Sequence, residues 1–515
     1  MIKKTIEKAP EKPMNSSLIN VRPGNESRPN ILWIVLDHVT FRHFKMTKGA
    51  KPILNTYERL ASEGVEFTNC HSVHPLCLPA RATMMTGVYS HKHGKINNGL
   101  YPDAGYPLLA EYLKQLGYQM GYFGKNHSGY EDLQARGFEG FYPSGYGNPY
   151  RTREYQEYLE KKGLLHPIFH QEWSMITDPA NGHLYENGDY DLTESDNFNT
   201  YSAGYLKTPG QVHEADFISS MAMDWLDERS GKNRPFVLQV NMWGPHHSYQ
   251  VPLESKEAIK ADEIEEYPSF RDEMKHRPRF AQEFLKGIRN RNSFRTWPEW
   301  QMVMKRAYEQ YSYIDSTVGK LLDKLEQNGM AGNTIVIYTA DHGDSLGSHG
   351  GMVDKAGDMM EELMHIPMVI RWPGFTKGTK SHALVSNLDL VPTVLDMAGI
   401  DPPGYMDGQS MVALLKGGNA IWREDFMAQH YGHFQNHVPQ RALYYQNYKY
   451  IAADGDVHEL YDLEKDPFEL DNLVNNPALQ DVVREMRGRL LDTMDRHGDT
   501  GMNVKNLRNG MDSGK

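Results

Sequence analysis

An α/β fold is predicted for this chain: a large, mainly parallel sheet flanked by helices, then a smaller C-terminal antiparallel sheet with one helix. Three observations predict it. Between residues 31 and 371, short continuous apolar runs recur, each the length of a strand buried on both faces. Between those runs lie segments whose apolar residues step by three and four, the spacing of a helix that covers a sheet. Beyond residue 425 the runs shorten and their connections tighten, which fits an antiparallel meander.

The first run, Ile31-Leu32-Trp33-Ile34-Val35-Leu36, stops abruptly at Asp37. A helix is predicted from Leu108 to Leu116, closed by Gly117, and a strand from Tyr118 to Phe123, running into Gly124-Lys125. Ala215 to Leu226 reads as a helix and Phe236 to Val240 as a strand ending near Asn241. The longest helix is predicted over Glu299 to Gln327, with Tyr311, Ile314, Val318, Leu321, Leu322 and Leu325 on one face and Gly329 as its stop. Thr334 to Thr339 is a further buried strand leading to Asp341. Met368 to Arg371 is another, and Val391 to Ala398 a short helix. Strands at Phe426 to Tyr431, Arg441 to Tyr445, Lys449 to Ala453 and Glu459 to Asp462, with a helix from Leu479 to Arg496, form the C-terminal part. Segments 139–212 and 250–298 have weak periodicity and read as insertions.

At 515 residues, and about 150 per domain, two or three units are expected. The boundaries drawn are a flexible N-terminal tail (1–28), an α/β catalytic body (29–418) and a C-terminal α+β subdomain (419–515). A net charge of −12 argues against nucleic acid as partner, because phosphate backbones demand a basic surface. The polar, proline-dotted start has no apolar core of a secretory signal, and no stretch approaches the ~20 apolar residues that cross a bilayer. The expectation is a cytoplasmic protein without a membrane partner. A secreted chain with its leader removed would read the same, and homo-oligomerisation is left open.

Ligands of open α/β sheets bind beyond the carboxyl ends of the strands. Four predicted strands deliver polar groups there: Asp37-His38, Lys125 with His127, His246-His247, and Asp341-His342. Two carboxylates and neutral imidazoles suit a divalent cation, while lysines and a further His suit an anion beside it. An Asp after a strand is commonly a turn or capping residue, so either one alone carries little. Their repetition carries the argument.

Cys70 and Cys77 are too few for a disulfide framework. The Cys70-His71 to Cys77 segment invites a zinc reading, but no second Cys/His pair lies at structural-finger distance. An inert buried thiol is the plain alternative. Pro79 and Arg81, however, follow Cys77. Chance would place that pattern after one of two cysteines with probability about 0.005, at roughly 5% usage of each residue.

Cys77-Leu78-Pro79-Ala80-Arg81 resembles the C-x-P-x-R signature of the sulfatase family, whose Cys is oxidised to formylglycine. Other motifs resemble the family in its own order. They are Pro29-Asn30-Ile31 into Asp37, Thr86 to His91, Gly124-Lys125-Asn126-His127, Pro245-His246, Asp341-His342-Gly343 with Gly350 and Lys355, Ile366-Pro367 through Gly374, and Glu459 to Asp462. The resemblance runs from Pro29 to Arg496. It departs at His38, where the family commonly has a second Asp, and at Ala80, often Ser.

The resemblance implies an alkaline-phosphatase-like fold and sulfate ester hydrolysis. It implies metal ligands Asp37, His38, Asp341, His342 and residue 77, with calcium the family default and manganese or magnesium the alternatives. Formylglycine would act as its hydrate, one hydroxyl attacking sulfur and the other expelling sulfate. Arg81 would brace the diol. Lys125, His127 and Lys355 would bind the sulfuryl oxygens, His246 would protonate the leaving alcohol, and Asn98 would add a hydrogen bond. His247 is the less favoured donor, since it faces the other way if the segment is extended. A maturation enzyme and a small-molecule or carbohydrate sulfate ester are the implied partners. The basic stretch Arg271 to Arg295 reads either as a solvated helix or as a lid, and Tyr142 to Tyr155 as a substrate mouth or a core edge. A phosphonate monoester or phosphodiester hydrolase of the same superfamily is the nearest rival, since it too lacks the second Asp. A non-catalytic metal-binding protein with unmodified Cys77 is the third reading.

Overall fold

Runs of Val, Ile and Leu with no polar face can be satisfied only in the middle of a sheet, and the large sheet is built from them. In the computed structural model its eight strands are β1 (Asn30–Leu36), β2 (Val65–Phe67), β3 (Gln119–Gly124), β4 (Glu139–Phe141), β5 (Phe236–Asn241), β6 (Thr334–Ala340), β7 (Met368–Arg371) and β8 (Thr379–Ser381). Their order is β8-β2-β7-β6-β1-β5-β3-β4. All run parallel except β7, which is antiparallel to both neighbours. β1 lies centrally, and Ile31 to Leu36 are at most 1% exposed. The structure describes residues 20–512 apart from 23–27, 46–47, 100, 144–146, 176–186, 195–200, 292–295, 356, 419–420 and 434–436.

Four helices matter most here: α1 (Cys77–Thr86), α2 (Glu214–Asp227), α3 (Trp297–Gln327) and α4 (Gln480–His497). The face of α3 predicted from periodicity is the buried one. It starts two residues before the predicted Glu299 because Thr296 and Glu299 close a capping box, Thr296 N donating to Glu299 Oε2 at 2.8 Å. Pro298 sits in its first turn, where the missing N–H costs nothing.

The C-terminal strands Asp425–His430, Gln440–Tyr445, Tyr448–Ala453 and Glu459–Asp462 form an antiparallel meander, followed in the chain by α4. The segments read as insertions hold more order than their periodicity predicts. Strands Ile168–Ser174, Gly188–Asp191, Ser202–Leu206 and Tyr249–Pro252 make a second, four-stranded sheet. A register shift between Gln171 and Trp173 breaks the alternation that would have revealed it. The basic stretch, described as far as residue 291, is not wholly solvated. It contains helix Arg279–Arg291, and Arg277 is buried within 3.3 Å of Asp358, 3.5 Å of Glu459 and 3.7 Å of Glu469. Tyr150 and Tyr155 are core residues. Of the N-terminal tail, Val21 bridges to Ile400 and Arg22 N donates to Gly399 O at 2.9 Å, while residues 1–19 and 23–27 lie outside the described part. Among the described residues no helix is long and apolar enough to cross a membrane.

Burial also sets the acid stability. It pushes His43 and His213 down to about 4, and His93, His365 and His430 down to about 3. Each favours folding as the neutral ring. Its contribution is complete above the unfolded value near 6.5 and is lost as pH falls toward the folded one. Burial pushes Glu214 and Glu459 up to about 8 and Asp315 up to about 6, and these work in the opposite direction. His247, His433 and His458, each held down to about 4, add to the first set, and Asp389 and Asp454, both raised, to the second. The lowered rings outnumber the raised acids, so the melting temperature is expected to fall as pH drops from about 6.5 to 4.5. Calorimetry across that window checks it, and a flat or rising profile contradicts it.

Candidate active site

β1 and β6 are paired in register, Leu36 opposite Ala340, so Asp37 and Asp341 emerge side by side at their carboxyl ends. Both are fully buried. β3 and β5 pair with Gly124 opposite Asn241, and Lys125 N donates to Asn241 O at 2.9 Å. Gly124 has φ +106, and a Cβ there would stand 1.9 Å from Asn241 O, so only glycine lets the chain turn Lys125 inward. Residue 77 arrives from a different element. It opens α1, whose ten side chains are all buried and which closes at Gly87 (φ +73), whose N–H donates to Thr83 O at 2.8 Å. Leu78 N donates to Asn98 Oδ1 at 3.1 Å, so Asn98 braces the start of this helix.

These elements bring Asp37, Cys77, Asp341 and His342 together, one ligand atom from each lying within 4.8 Å of the others. Cys77 Sγ is 3.8 Å from Asp37 Oδ1 and 3.0 Å from His342 Nε2. His342 Nδ1 is 2.8 Å from Gly343 O, which can only accept. Nδ1 therefore carries the hydrogen, and the Nε2 lone pair faces the carboxylates. Two buried carboxylates, an imidazole lone pair and the residue 77 side chain form a donor set that fits one divalent cation.

Cations surround this set. Arg81 Nε is 2.8 Å from Asp341 Oδ2, and its Nη2 is 3.9 Å from Asp37 Oδ1. Lys125 Nζ is hydrogen-bonded to Asp37 Oδ2 and lies 3.9 Å from Cys77 Sγ. Burial opposes ionisation of Asp37, but Lys125, His246 and Arg81 outweigh it and hold the carboxyl well below its ordinary range. Burial likewise opposes the Cys77 thiolate, and Lys125 and Lys355 outweigh it, so the thiol is held well below its usual value. His127 is hydrogen-bonded to Cys77, and burial holds its ring down.

His38 does not join Asp37. The sequence expectation gave both to one ion, but His38 adopts φ +69 and its ring turns into a neighbouring cluster with His246, His247 and Asp354. Its Nδ1 is 3.3 Å from Asp344 Oδ2 and its Nε2 3.1 Å from Asp354 Oδ1. Burial and Lys355 oppose its protonation, the two carboxylates outweigh them, and the imidazole is held up to about 9. Lys355 Nζ lies 2.7 Å from Asp354 Oδ1 and 3.3 Å from His246 Nε2. Burial drives His246 well below its ordinary value. His247 does not face away as expected. The segment turns rather than extending, and its ring meets those of His246 at 4.2 Å and Tyr201 at 4.6 Å.

Several contributors have no motif. Asn387 donates to Asp341 O at 2.9 Å and to Ser72 Oγ at 3.1 Å, and accepts from Val73 N at 2.9 Å. Asp344, Asp354 and His433 also belong here, the last feeling the charges of Asp354, Lys355 and Cys77. Only Asp354 had a sequence cue, its place beside Lys355. Cys70 is remote in character, packed in the core with its Sγ 4.0 Å from Met368 Sδ.

Carboxylates for a cation and ammonium groups for an anion, gathered at the strand ends of an α/β sheet, define an esterase site for anionic esters. Residues 29–400 match the sulfatase family model, and the chain belongs to the sulfatase family. Residues 347–496 match the model of the N-sulphoglucosamine sulphohydrolase C-terminal region. The chain is 25% identical to an N-acetylglucosamine-6-O-sulfatase of Bacteroides thetaiotaomicron, over 95% of this chain and 90% of that protein. It is 27% identical to a choline-sulfatase of Rhizobium meliloti, over 89% and 86%. In fold it resembles the phosphonate monoester hydrolase of Agrobacterium radiobacter, with TM-score 0.72, 20% identity, and 91% of this chain and 96% of that one covered. The protein is a sulfuric ester hydrolase.

Arg81→Gln should lower unfolding free energy by about 3–5 kcal/mol, since it strips two buried carboxylates of a partner. Asn387→Ala should cost about 1–3 kcal/mol by leaving Val73 N unsatisfied and Asp341 O with only its bond from Ser72 Oγ. Urea unfolding with chelator present measures both. Equal effects, or none, would contradict this account of how the carboxylates are held.

Proposed function

We propose that the chain hydrolyses sulfate esters through a formylglycine made from Cys77 and one divalent ion held by Asp37, Asp341, His342 and residue 77. The carrying observation is the convergence of those four side chains with Lys125 and Arg81 against them. The thiol sulfur marks where the formylglycine oxygens would sit. The ion, calcium by family resemblance with manganese or magnesium as alternatives, would supply Lewis acidity at residue 77 and at a sulfuryl oxygen. Formylglycine, as its hydrate, would supply a nucleophilic hydroxyl and a second one that releases sulfate.

The chain's own residues do the rest. Arg81 fixes both carboxylates. Lys125 and His127 flank residue 77 and meet the sulfuryl oxygens, and Lys355 adds a third positive contact. Asn98 acts through the helix start at Leu78 rather than on the substrate. His246 Nδ1 is 2.6 Å from His247 O, which can only accept, so Nδ1 carries hydrogen and Nε2 faces Lys355. In its imidazolium form the ring would present an Nε2–H to the departing alkoxide, which takes that proton and leaves the ring neutral. The maturation enzyme must act before folding, because Cys77 is 1% exposed.

The phosphonate or phosphodiester reading has one observation in its favour: His38 gives no carboxylate to the first group. The Lys125–His127 pair favours sulfate. Rates on a sulfate and a phosphonate ester of the same phenol are expected to favour sulfate at least about tenfold. The reverse order would overturn the proposal.

Mass spectrometry of the peptide holding residue 77, from cells with the maturation enzyme, should show an aldehyde in place of the thiol. Cys77→Ser should abolish turnover, by about 10⁴-fold or more given the loss of a covalent step, while Cys70→Ser stays active. Chelation should silence the enzyme and calcium or manganese restore it. An active enzyme with an unmodified thiol would refute the mechanism.

A further inference from the structure

His38 stands where a second acidic ligand would be, yet its ring leaves the ion group. Four contacts mark where it goes instead. Its backbone is held in the left-handed region at φ +69 while its N–H donates to Asp341 Oδ1 at 3.3 Å and its carbonyl accepts from Tyr311 OH at 3.3 Å. Asp344 and Asp354 lie at 3.3 and 3.1 Å from its two ring nitrogens. A carboxylate stands beside each ring nitrogen, and the ring face lies against His246, centroids 4.2 Å apart and planes 16° apart.

The centre of this second cluster is not a cation site. Asp354 Oδ1 already serves both His38 Nε2, at 3.1 Å, and the Lys355 ammonium, at 2.7 Å. An ion drawn to His246 and Asp354 would have to displace that ammonium. What the geometry provides is a stacked platform: two carboxylates flank His38, His38 stacks on His246, and Lys355, paired with Asp354, lies 3.3 Å from His246 Nε2.

We infer that His38 is a positioning residue for proton delivery, a fixed aromatic plate that aims His246 Nε2 at the leaving-group oxygen, and not a metal ligand. This rests on His246 being the proton donor, as proposed above. His38 itself touches no substrate. Its role should matter in proportion to how badly the leaving group needs a proton.

The test uses the mature, metal-loaded enzyme and phenyl sulfates of graded phenol acidity. His38→Asn is the chosen variant, because Asn tolerates the left-handed backbone and removes the stacking ring. His246→Asn should steepen the dependence of kcat/KM on phenol acidity. His38→Asn should steepen it in the same sense, with a loss of about 10- to 100-fold on the least acidic phenol and less than about 3-fold on the most acidic. The double variant should be no steeper than His246→Asn alone, as expected of residues acting through one group. Bound metal, measured by elemental analysis, should be unchanged in His38→Asn.

If His246→Asn leaves the slope unchanged, the proton-donor reading fails and takes this inference with it. If it steepens the slope while His38→Asn lowers all rates in parallel, or loses metal, this inference alone is overturned. Should His38→Asn not accumulate as folded protein, Asp344→Asn, which loosens the Nδ1 side of the clamp, is judged by the same two criteria.

Discussion

Everything in this molecule depends on two carboxylates being paired with cations out of water. Asp37 and Asp341 sit at the ends of paired parallel strands, fully buried, where an unpaired charge would cost several kcal/mol. The cations that offset them come from elsewhere, Arg81 from α1 and Lys125 from the end of β3. The fold therefore has to bring a helix start and three strand ends to one point before the site is electrostatically tolerable. That constraint explains why Gly124 must be glycine and why every side chain of α1 is buried.

Two charge clusters result, with different characters. Around residue 77 two acids, an imidazole and a thiol form a donor set that fits a divalent cation. Around His246 the arrangement is already complete, because His38 and Lys355 neutralise Asp344 and Asp354. One cluster offers a donor set that fits an ion, while in the other the acids already face cationic side chains. The His38 and His342 rings, 4.8 Å apart and nearly perpendicular, form the seam between them.

The sheet was legible because its strands are buried on both faces and leave unbroken apolar runs, and the ligand-bearing ends followed from where those runs stop. Cys77, Arg81, Lys125, Asp341 and His342 stood in motifs. The second sheet was not legible, since its strands mix polar and aromatic residues and one carries a bulge. His38 was misread because a sequence does not reveal a positive φ at a non-glycine residue. His247 was misread because an extended segment was assumed where the chain turns. Asn387 had no signal at all. It acts on Asp341 through a backbone carbonyl, and no spacing rule reports that.

The C-terminal meander does not merely rest on the catalytic body. Lys449 Nζ lies 2.9 Å from Glu361 and 2.8 Å from Glu469, Tyr444 OH donates to Glu361 at 2.8 Å, and Arg277 reaches Glu459 at 3.5 Å. Glu361 in turn holds His71 at 3.2 Å, six residues before the nucleophile position. A polypeptide stopped before the meander would bury Glu361 and Arg277 beside missing counter-charges. The two lobes thus fold as a unit, and the pocket can close only once synthesis has passed the meander and Glu469.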